Sequence, residues 1–180
     1  TEDVVLGTDG WLYFGDTLPD YAGLEPMTDR ELFSAARNLA LISEYCESQG
    51  ARFLFTTAPH KNSLYPEHMP SLTASQEPHD AERLSAELAR QCVAELDCFA
   101  LFRAQEEPLY FRTDSHWNSQ GAALAADAVN HALGRESQYF DGPFTPEEVH
   151  KGDLYDMLYP TGEGLETDWI YASGLDLTYD

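Results

Sequence analysis

An aspartate and a histidine two residues apart are the side chains of this sequence most suited to proton transfer. Asp114 and His116 lie in the stretch 110–118, directly before a predicted helix. In an extended backbone, side chains two residues apart point to the same side, so we expect the carboxylate and the imidazole to meet. A carboxylate that holds an imidazole lets the ring take a proton from a serine hydroxyl. The pattern predicts that Asp114 is the orienting acid of a catalytic triad and that His116 is its general base.

Two other interpretations of this pair stay open. Asp114 could cap a local turn beside a partly buried His116, with no chemistry at all. The pair could also bind zinc, since aspartate and histidine are both zinc ligands. The remaining histidines, however, form no i, i+4 or similar pair with it, and they are His60, His68, His79, His131 and His150. We therefore predict no metal site, and we expect no cofactor.

Four segments of the sequence resemble one family. Residues 112–118, Arg-Thr-Asp-Ser-His-Trp-Asn, resemble the D-x-H-W signature of SGNH-hydrolase-like polysaccharide O-acetyltransferases, the alginate-acetylation group and its DHHW relatives. Residues 7–14 resemble the G-x-D-G-W-L-[FY] opening of that family, and residues 59–67 resemble its P-x-K-x-x-x-Y-P-E segment. Residues 152–154 match its G-D-L element. Because the four matches occur in the family's order, the resemblance is more specific than any one of them.

The resemblance implies both a fold and an activity. The fold would be α/β, an SGNH-like (flavodoxin-like) layered sheet, mostly parallel, with flanking helices. The activity would be that of an exported O-acetyltransferase or acetylesterase, in which Asp114 and His116 serve a serine and Trp117 is a wall of the site. The partners would be a polysaccharide acceptor and an acetyl donor, which a membrane-bound acyltransferase could supply. The location would be extracellular or periplasmic, and the parent protein could be anchored to a membrane.

The sequence departs from the family at the nucleophile. The family carries its serine in a G-D-S-[FY] segment after the G-D-L element, and no Gly-Asp-Ser occurs in these 180 residues. We therefore expect residues 1–180 to be the N-terminal part of one longer catalytic domain, incomplete at its C-terminus and inactive alone. If a nucleophile lies within the chain, Ser63, Ser115 and Ser173 are the first to test. The alternative function is a non-catalytic module that binds a glycan or a partner.

Four further residues are candidates for substrate binding. Lys61 and Arg112 are the basic residues nearest to the matched segments. Arg112 could hold a substrate carboxylate or lower the pKa of Asp114, although ordinary ion pairing explains both residues equally well. Tyr65 and Trp117 could offer their rings to a sugar face, although aromatic residues beside apolar strands more often pack in a core.

The charge of the chain argues against some partners. Ten basic and thirty-two acidic side chains give a formal net charge of −22. Such a surface repels phosphate backbones, so we expect no nucleic-acid partner. The acidic surface either keeps a secreted protein soluble or favours a cationic or neutral glycan. Among the cysteines, Cys92 could pair with Cys98, Cys46 could pair with either of them, or all three could be small buried side chains.

Helix and strand signals alternate along the chain, as in α/β proteins. A hairpin is predicted around 7–10, and the capping box Thr28-x-x-Glu31 predicts a long helix over 29–49. Further helices are predicted after Pro78 and after an Asn118 or Ser119 cap. Buried strands are predicted at 53–57 and 98–101, loops and short strands from 136 onward, and a strand over 169–172. Sites on α/β sheets form at the carboxyl ends of strands, where Asp114 and His116 would lie.

Overall fold

Seven α-helices and three two-stranded sheets make up the part of the chain that the computed structural model describes, residues 3–69 and 72–172. The strands are β1 (Val4–Leu6), β2 (Leu12–Phe14), β3 (Phe55–Thr56), β4 (Glu95–Leu96), β5 (Phe144–His150) and β6 (Glu166–Tyr171). The helices are α1 (Leu18–Ala22), α2 (Asp29–Ser48), α3 (Lys61–Leu64), α4 (Asp80–Arg90), α5 (Cys98–Arg103), α6 (Ser119–Ala132) and α7 (Asp153–Leu158).

The predicted hairpin is confirmed. Strands β1 and β2 pair antiparallel, with Val4 opposite Phe14 and Leu6 opposite Leu12. Their turn contains Asp9 and Gly10 with φ of 54° and 81°, the left-handed region that turns of this kind require. One face of the hairpin buries Val4 and Leu12 against Leu154 of α7. The start of the chain is thereby joined to the segment that contains the G-D-L element.

The predicted long helix is also confirmed. At the start of α2, the hydroxyl of Thr28 accepts from the amide of Glu31, and the carboxylate of Glu31 accepts from the amide of Thr28 at 2.8 Å. These reciprocal bonds satisfy two donors that a helix start leaves free. The buried side of α2 packs through Ala36 and Ala40 against Leu88 of α4. Phe55 of β3 packs against the same cluster.

The strand prediction over 98–101 is wrong. Residues Cys98–Arg103 form helix α5, because the carboxylate of Asp97 accepts from the amide of Ala100 at 2.9 Å and caps the helix start. The strand in this region is β4, which pairs parallel with β3. Of the strand predicted over 53–57, only Phe55–Thr56 (β3) forms a strand. Since β3–β4 is one parallel pair and the other two described pairs are antiparallel, a mostly parallel layered sheet stays a prediction.

The segment after residue 136 is more regular than expected. Strands β5 and β6 form a long antiparallel ribbon, which includes the strand predicted near 169. Helix α7 lies between the two strands in the sequence. The register of the ribbon shifts between Glu148 and His150. Such a bulge turns the side chain beside it in a new direction. The bulge lies at the end of β5 that faces the loop of residues 111–118.

A core of aromatic and aliphatic side chains supports the loop of residues 111–118. Tyr110 and Phe102 are buried within it, and Trp117 packs on Phe102 with ring centroids 5.5 Å apart. Helix α6 starts directly after the loop, where the side chain of Asn118 accepts from the amide of Gly121 at 2.9 Å. A Cβ at Gly121 would lie 2.6 Å from the carbonyl oxygen of Leu109, so only glycine allows this close approach.

All three cysteines lie within the described residues as free thiols. Cys98 is buried, Cys46 is half-buried and Cys92 is exposed. None of the pairings considered for them is formed in this structure, and the alternative of three buried side chains holds only for Cys98. Across residues 3–69 and 72–172, no helix combines the length and the apolar character that crossing a membrane requires.

Candidate active site

The carboxylate of Asp114 contacts the ring of His116, as the sequence predicted, but by a different local structure. Residues 112–116 are bent rather than extended. In this bend Oδ1 of Asp114 accepts from the backbone N–H of His116 at 2.9 Å and lies 2.7 Å from Nδ1 of its ring. The same oxygen therefore fixes both the backbone and the imidazole of His116.

Asp114 is buried and holds four N–H groups. Besides the two contacts with His116, its Oδ2 accepts from the backbone N–H of Asp153 at 2.9 Å and lies 2.8 Å from Nε2 of His150. Burial raises the pKa of this carboxyl, but the donors from Asp153, His116 and His150 outweigh burial, and the pKa falls to about 2. Asp114 is therefore ionised and accepts hydrogen bonds only, at any pH near neutral.

An ionised acceptor decides where the proton of a neutral His116 lies. Nδ1 faces Asp114, so Nδ1 carries the proton and Nε2 carries the lone pair. The His116 side chain is 74% exposed, and within residues 3–69 and 72–172 no group forms a hydrogen bond with Nε2. This is the geometry that a general base of a triad needs, with the orienting acid on one ring nitrogen and the other nitrogen open to a hydroxyl.

Lys61 contacts the backbone of the 111–118 loop and does not reach the surface. Its side chain is buried, and Nζ donates to the carbonyl oxygens of Phe111 at 3.0 Å, Arg112 at 3.0 Å and Asp114 at 2.6 Å. Burial lowers the pKa of Lys61 to about 8, although Glu166, Asp114 and Asp153 act to raise it. With its three hydrogens on the backbone of the 111–118 loop, Lys61 has no donor left for a substrate in this arrangement.

Glu166 holds the same loop through its amides. Its carboxylate accepts from the backbone N–H groups of Arg112 at 2.8 Å and Thr113 at 2.9 Å, and also from the hydroxyl of Thr113. Two residues further along β6, Asp168 accepts from the amide and hydroxyl of Ser119 at the start of α6. Alternate residues of one strand thus fix both ends of the 111–118 loop.

Asp153 of the G-D-L element connects α7 to the site. Its carboxylate accepts from the amide of Ser115 at 2.7 Å and from the hydroxyl of Ser115 at 2.5 Å. The same hydroxyl lies 3.2 Å from Nδ1 of His116, the nitrogen already held by Asp114. Ser115 is therefore on the side of the ring opposite to the one from which a nucleophile would be activated.

The other two serines lie elsewhere. Ser63 lines a different cavity, together with His79 and Asp97. Ser173 is outside the described residues.

The remaining predicted residues are divided between two neighbouring cavities and the core. Trp117 lines the cavity of His116, together with His150 and Asp168. Arg112 is exposed and lines a second cavity with Trp11, His68, Trp169 and other residues. The half-buried ring of Tyr65 packs on Trp11 with centroids 4.9 Å apart, and its hydroxyl accepts from the amide of Leu109. The groups that lower the pKa of Asp114 are the N–H donors named above and not the guanidinium of Arg112.

Asp114, His116 and Asp153 also bring their potential metal-ligand atoms within 4.8 Å of one another. The hydrogen bonds of Asp114 argue against a cation there. Each of its oxygens already accepts two N–H groups, and two of the four belong to the backbone and cannot turn away. A metal would have to displace these donors, whereas proton transfer uses the arrangement as it is.

Three residues of the site were not predicted as such. His150, Asp153 and Glu166 approach the 111–118 loop from positions 36 to 54 residues away. Asp153 was within a matched segment, which was the only signal for it. His150 and Glu166 have no local pattern, because their contacts depend on how the β5–β6 ribbon packs.

Known proteins resemble this chain in sequence and in fold. The sequence profile of the SGNH hydrolase-like domain of acetyltransferase AlgX matches residues 4–169. A curated protein of Pseudomonas syringae pv. tomato, named "Probable alginate O-acetylase AlgJ", is 30% identical in an alignment of 167 positions that covers 86% of this chain and 41% of that protein. The chain thus spans less than half the length of this relative.

Two solved structures are similar in fold. The O-acetyltransferase domain of Pseudomonas putida AlgJ superposes with a TM-score of 0.62 at 22% identity, over 92% of this chain and 63% of that one. A DHHW family protein from Eubacterium siraeum superposes with a TM-score of 0.59 at 20% identity, over 95% and 55% of the two chains. At identities this low, the two superpositions show a shared SGNH hydrolase-like fold and no more.

Proposed function

Because the chain belongs to the family of SGNH hydrolase-like acetyltransferase AlgX domains, we propose that it contributes the acid and the base of a polysaccharide O-acetyltransferase. The observation that carries the proposal is the contact of Asp114 with Nδ1 of His116, which leaves Nε2 open to a hydroxyl. Asp114 keeps the ring in the reactive tautomer and stabilises the imidazolium that forms. His116 is the general base.

The reaction proceeds in two steps. In the first, a serine oxygen attacks the carbonyl carbon of an acetyl donor while Nε2 of His116 takes the serine proton. Backbone amides stabilise the oxyanion, and the leaving group of the donor departs with the proton that His116 returns. In the second step, a sugar hydroxyl attacks the carbonyl carbon of the acetyl-serine while Nε2 of His116 takes the hydroxyl proton. His116 then gives this proton to the serine oxygen as the bond between that oxygen and the acetyl group breaks. The products are an O-acetylated sugar and the free enzyme, and the use of water in place of sugar would make the protein an esterase.

We place the serine in sequence outside these 180 residues. The sequence contains no Gly-Asp-Ser, and Ser115 faces the ring nitrogen that Asp114 occupies. The relative named AlgJ is more than twice as long as the matched region. In this proposal, residues 1–180 are the N-terminal part of a larger SGNH-like domain, and the parallel pair β3–β4 belongs to a wider parallel sheet.

The proposed partners follow from the same assignment. The acceptor is a cell-surface or secreted polysaccharide, and the acetyl donor comes from a membrane-bound acyltransferase, at an extracellular or periplasmic site. Trp117 is a wall for the acceptor, and Arg112 faces it from the neighbouring cavity. Lys61 and Tyr65 act on the acceptor only through the loop and the core that they support.

A second function is favoured by one observation, the missing Gly-Asp-Ser. A relative that has lost its nucleophile would serve as a glycan-binding or partner-binding module. Such a protein would retain the fold and the cavity of His116 without turnover.

Hydrolysis of p-nitrophenyl acetate separates the two functions. We expect the 180-residue chain to show no His116-dependent turnover, and a longer protein that contains the serine to be active. In that protein, His116→Ala should lower kcat by about 10² to 10⁴-fold, and the serine-to-alanine change should add little to it, because triad members act as a unit. The control is His131→Ala, which removes an exposed histidine of α6.

Two results would contradict this assignment. Activity of the longer protein that His116→Ala leaves unchanged would remove His116 from the reaction. His116-dependent activity of the isolated chain would show that its nucleophile lies within residues 1–180, and Ser63, Ser115 and Ser173 would then be replaced in turn.

A further inference from the structure

Two histidines share the carboxylate of Asp114. Oδ1 holds Nδ1 of His116 at 2.7 Å, and Oδ2 holds Nε2 of His150 at 2.8 Å. Because the carboxylate is ionised, both contacts have N–H as the donor. The two rings, when neutral, are thus held in opposite tautomers, with the proton on Nδ1 in His116 and on Nε2 in His150.

His150 is fixed from three directions. The register shift between Glu148 and His150 places it at the end of β5, where its ring leaves the ribbon toward the loop. The ring stacks on Phe111 with centroids 3.7 Å apart and planes inclined by 7°. Its backbone pairs with Glu166, which itself holds two amides of the loop. These contacts give the ring of His150 little freedom to turn away from Asp114.

We propose that His150 is a positioning residue of the site. Its Nε2–H holds Oδ2 of Asp114, so that Oδ1 stays directed at Nδ1 of His116. The catalytic consequence rests on the function proposed above, whereas the coupling between His150 and His116 does not. Neither the D-x-H-W signature nor the G-D-L element contains His150.

His150 is poorly placed to be the base itself. Its Nε2 is directed at Asp114, one face of its ring is covered by Phe111, and its side chain is 29% exposed against 74% for His116. A hydroxyl can approach Nε2 of His116 from the cavity without displacing a hydrogen bond among residues 3–69 and 72–172. The two rings therefore have different roles, although they bind the same carboxylate.

The groups that face Asp114 come from four parts of the chain. His116 lies on its own loop, Asp153 contributes its amide from the start of α7, and His150 comes from β5. Lys61 of α3 reaches the backbone carbonyl of Asp114, and not its carboxylate. Among these, only the two histidine rings contribute side-chain N–H donors to the carboxylate, so His150 is the one donor that substitution can remove without altering His116 or the backbone.

The test uses two variants of the intact 180-residue chain. His150→Leu removes the donor, and His150→Gln places an amide N–H near the former Nε2. NMR of the histidine side chains reports the tautomers, and a ¹³C titration reports the pKa of the Asp114 carboxyl. Nearly unchanged dispersion of the amide spectrum would establish that each variant is folded. His131→Leu is the control for loss of a histidine elsewhere.

In the wild type we expect the proton on Nδ1 of His116 and on Nε2 of His150. In His150→Leu the titration midpoint of Asp114 should move upward, and the Nδ1 proton of His116 should exchange faster with water. His150→Gln should restore both, and His131→Leu should change neither. An unchanged midpoint and unchanged exchange in folded His150→Leu would overturn the proposal. If that variant does not fold, a wild-type His150 with its proton on Nδ1 would overturn it equally.

Kinetics of a longer, serine-containing protein give the second measurement. His150→Leu should lower kcat on the order of tenfold, the effect of one hydrogen bond to a charged group, with KM unchanged. His150→Gln should recover most of the loss. A variant that lowers kcat and KM without recovery in His150→Gln would contradict positioning. If the longer protein transfers no acetyl group, the proposed function fails, whereas the NMR outcome still decides the coupling of the two histidines.

Discussion

Four N–H groups converge on the carboxylate of Asp114, and their number sets what this residue can be replaced by. An ionised carboxylate has two acceptor oxygens, whereas an asparagine amide has one acceptor and two donors of its own. Asp114→Asn would keep the size of the side chain. Its NH2 group, however, would meet at least one of the four N–H donors, and two donors form no hydrogen bond with each other. Since the Asp114 side chain is buried, an unpaired donor beside it has no water to bond with.

We expect Asp114→Asn to lower the free energy of unfolding by about 2 kcal/mol at pH 7. The folded-state pKa of about 2 lies below the unfolded value, so the contribution of Asp114 is present above about pH 4 and is lost as the pH falls toward 2. The deficit of the variant should therefore shrink over this range. Urea unfolding at several pH values measures it, with Asp141→Asn as a control on an exposed aspartate. A deficit that is independent of pH would contradict the ionised, hydrogen-bonded carboxylate.

Lys61 allows a matched comparison, because the sequence contains one other lysine, Lys151. Lys61→Met would leave three carbonyl oxygens of the 111–118 loop without their donor, and we expect a loss of about 3 kcal/mol or more. Lys151 pairs with Asp156 at the surface, and Lys151→Met should cost less than about 1 kcal/mol. Urea unfolding of both variants gives the comparison. Equal losses would mean that the buried lysine does not support the loop.

At the scale of the elements, two helix caps differ in what they control. Thr28 caps α2, far from the site in sequence, and Asn118 caps α6 at the end of the 111–118 loop. Thr28→Ala and Asn118→Ala should each lower stability by about 1 kcal/mol, since each removes one side-chain cap. Only Asn118→Ala should also shift the NMR signals of the His116 ring. A shift in both variants, or in neither, would show that the cap of α6 does not position the base.

The sequence predicted those elements whose signal is local. The capping box of α2, the turn of the β1–β2 hairpin and the cap of α6 are each set by residues within a few positions of one another. The strand predicted over 98–101 failed for the same kind of reason, because the Asp97 cap outweighed the apolar run that follows it. The strand predicted over 169–172 is part of β6, but helix α7 and the length of the β5–β6 ribbon were missed, since their stability comes from packing and pairing with distant segments.

The site was predictable to the same extent. Asp114 and His116 are neighbours in sequence, so their contact could be expected, although a bend and not a strand produces it. Lys61 and Tyr65 were candidates for substrate binding, with ion pairing and core packing as the alternatives. The structure places Lys61 against the backbone of the loop and Tyr65 against Trp11, and nothing local in the sequence decides between these alternatives. His150 and Glu166 could not be selected from the sequence, because each contacts the 111–118 loop across a long stretch of intervening residues.

At the scale of the whole molecule, the net charge of −22 makes the folded chain repel itself. Salt screens this repulsion, because the Debye length falls from about 30 Å at 0.01 M to about 8 Å at 0.15 M ionic strength. We expect the thermal midpoint to rise by several degrees when NaCl is raised over this range. An equal osmolality of sucrose serves as the control for effects unrelated to charge. A midpoint that does not respond to NaCl would mean that the acidic groups are far enough apart to be independent.

Besides the local contacts of Asp114 with His116, the loop of residues 111–118 is held by partners that are remote along the chain. Lys61 precedes it by about fifty residues, and His150, Asp153 and Glu166 follow it at separations of 36 to 54. During synthesis on a ribosome, α2, α4 and the β3–β4 pair can form while this loop still lacks the carboxylates and amides that complete it. The base and its acid therefore take their final positions only after Glu166 has left the exit tunnel, later than α2, α4 and the β3–β4 pair can form.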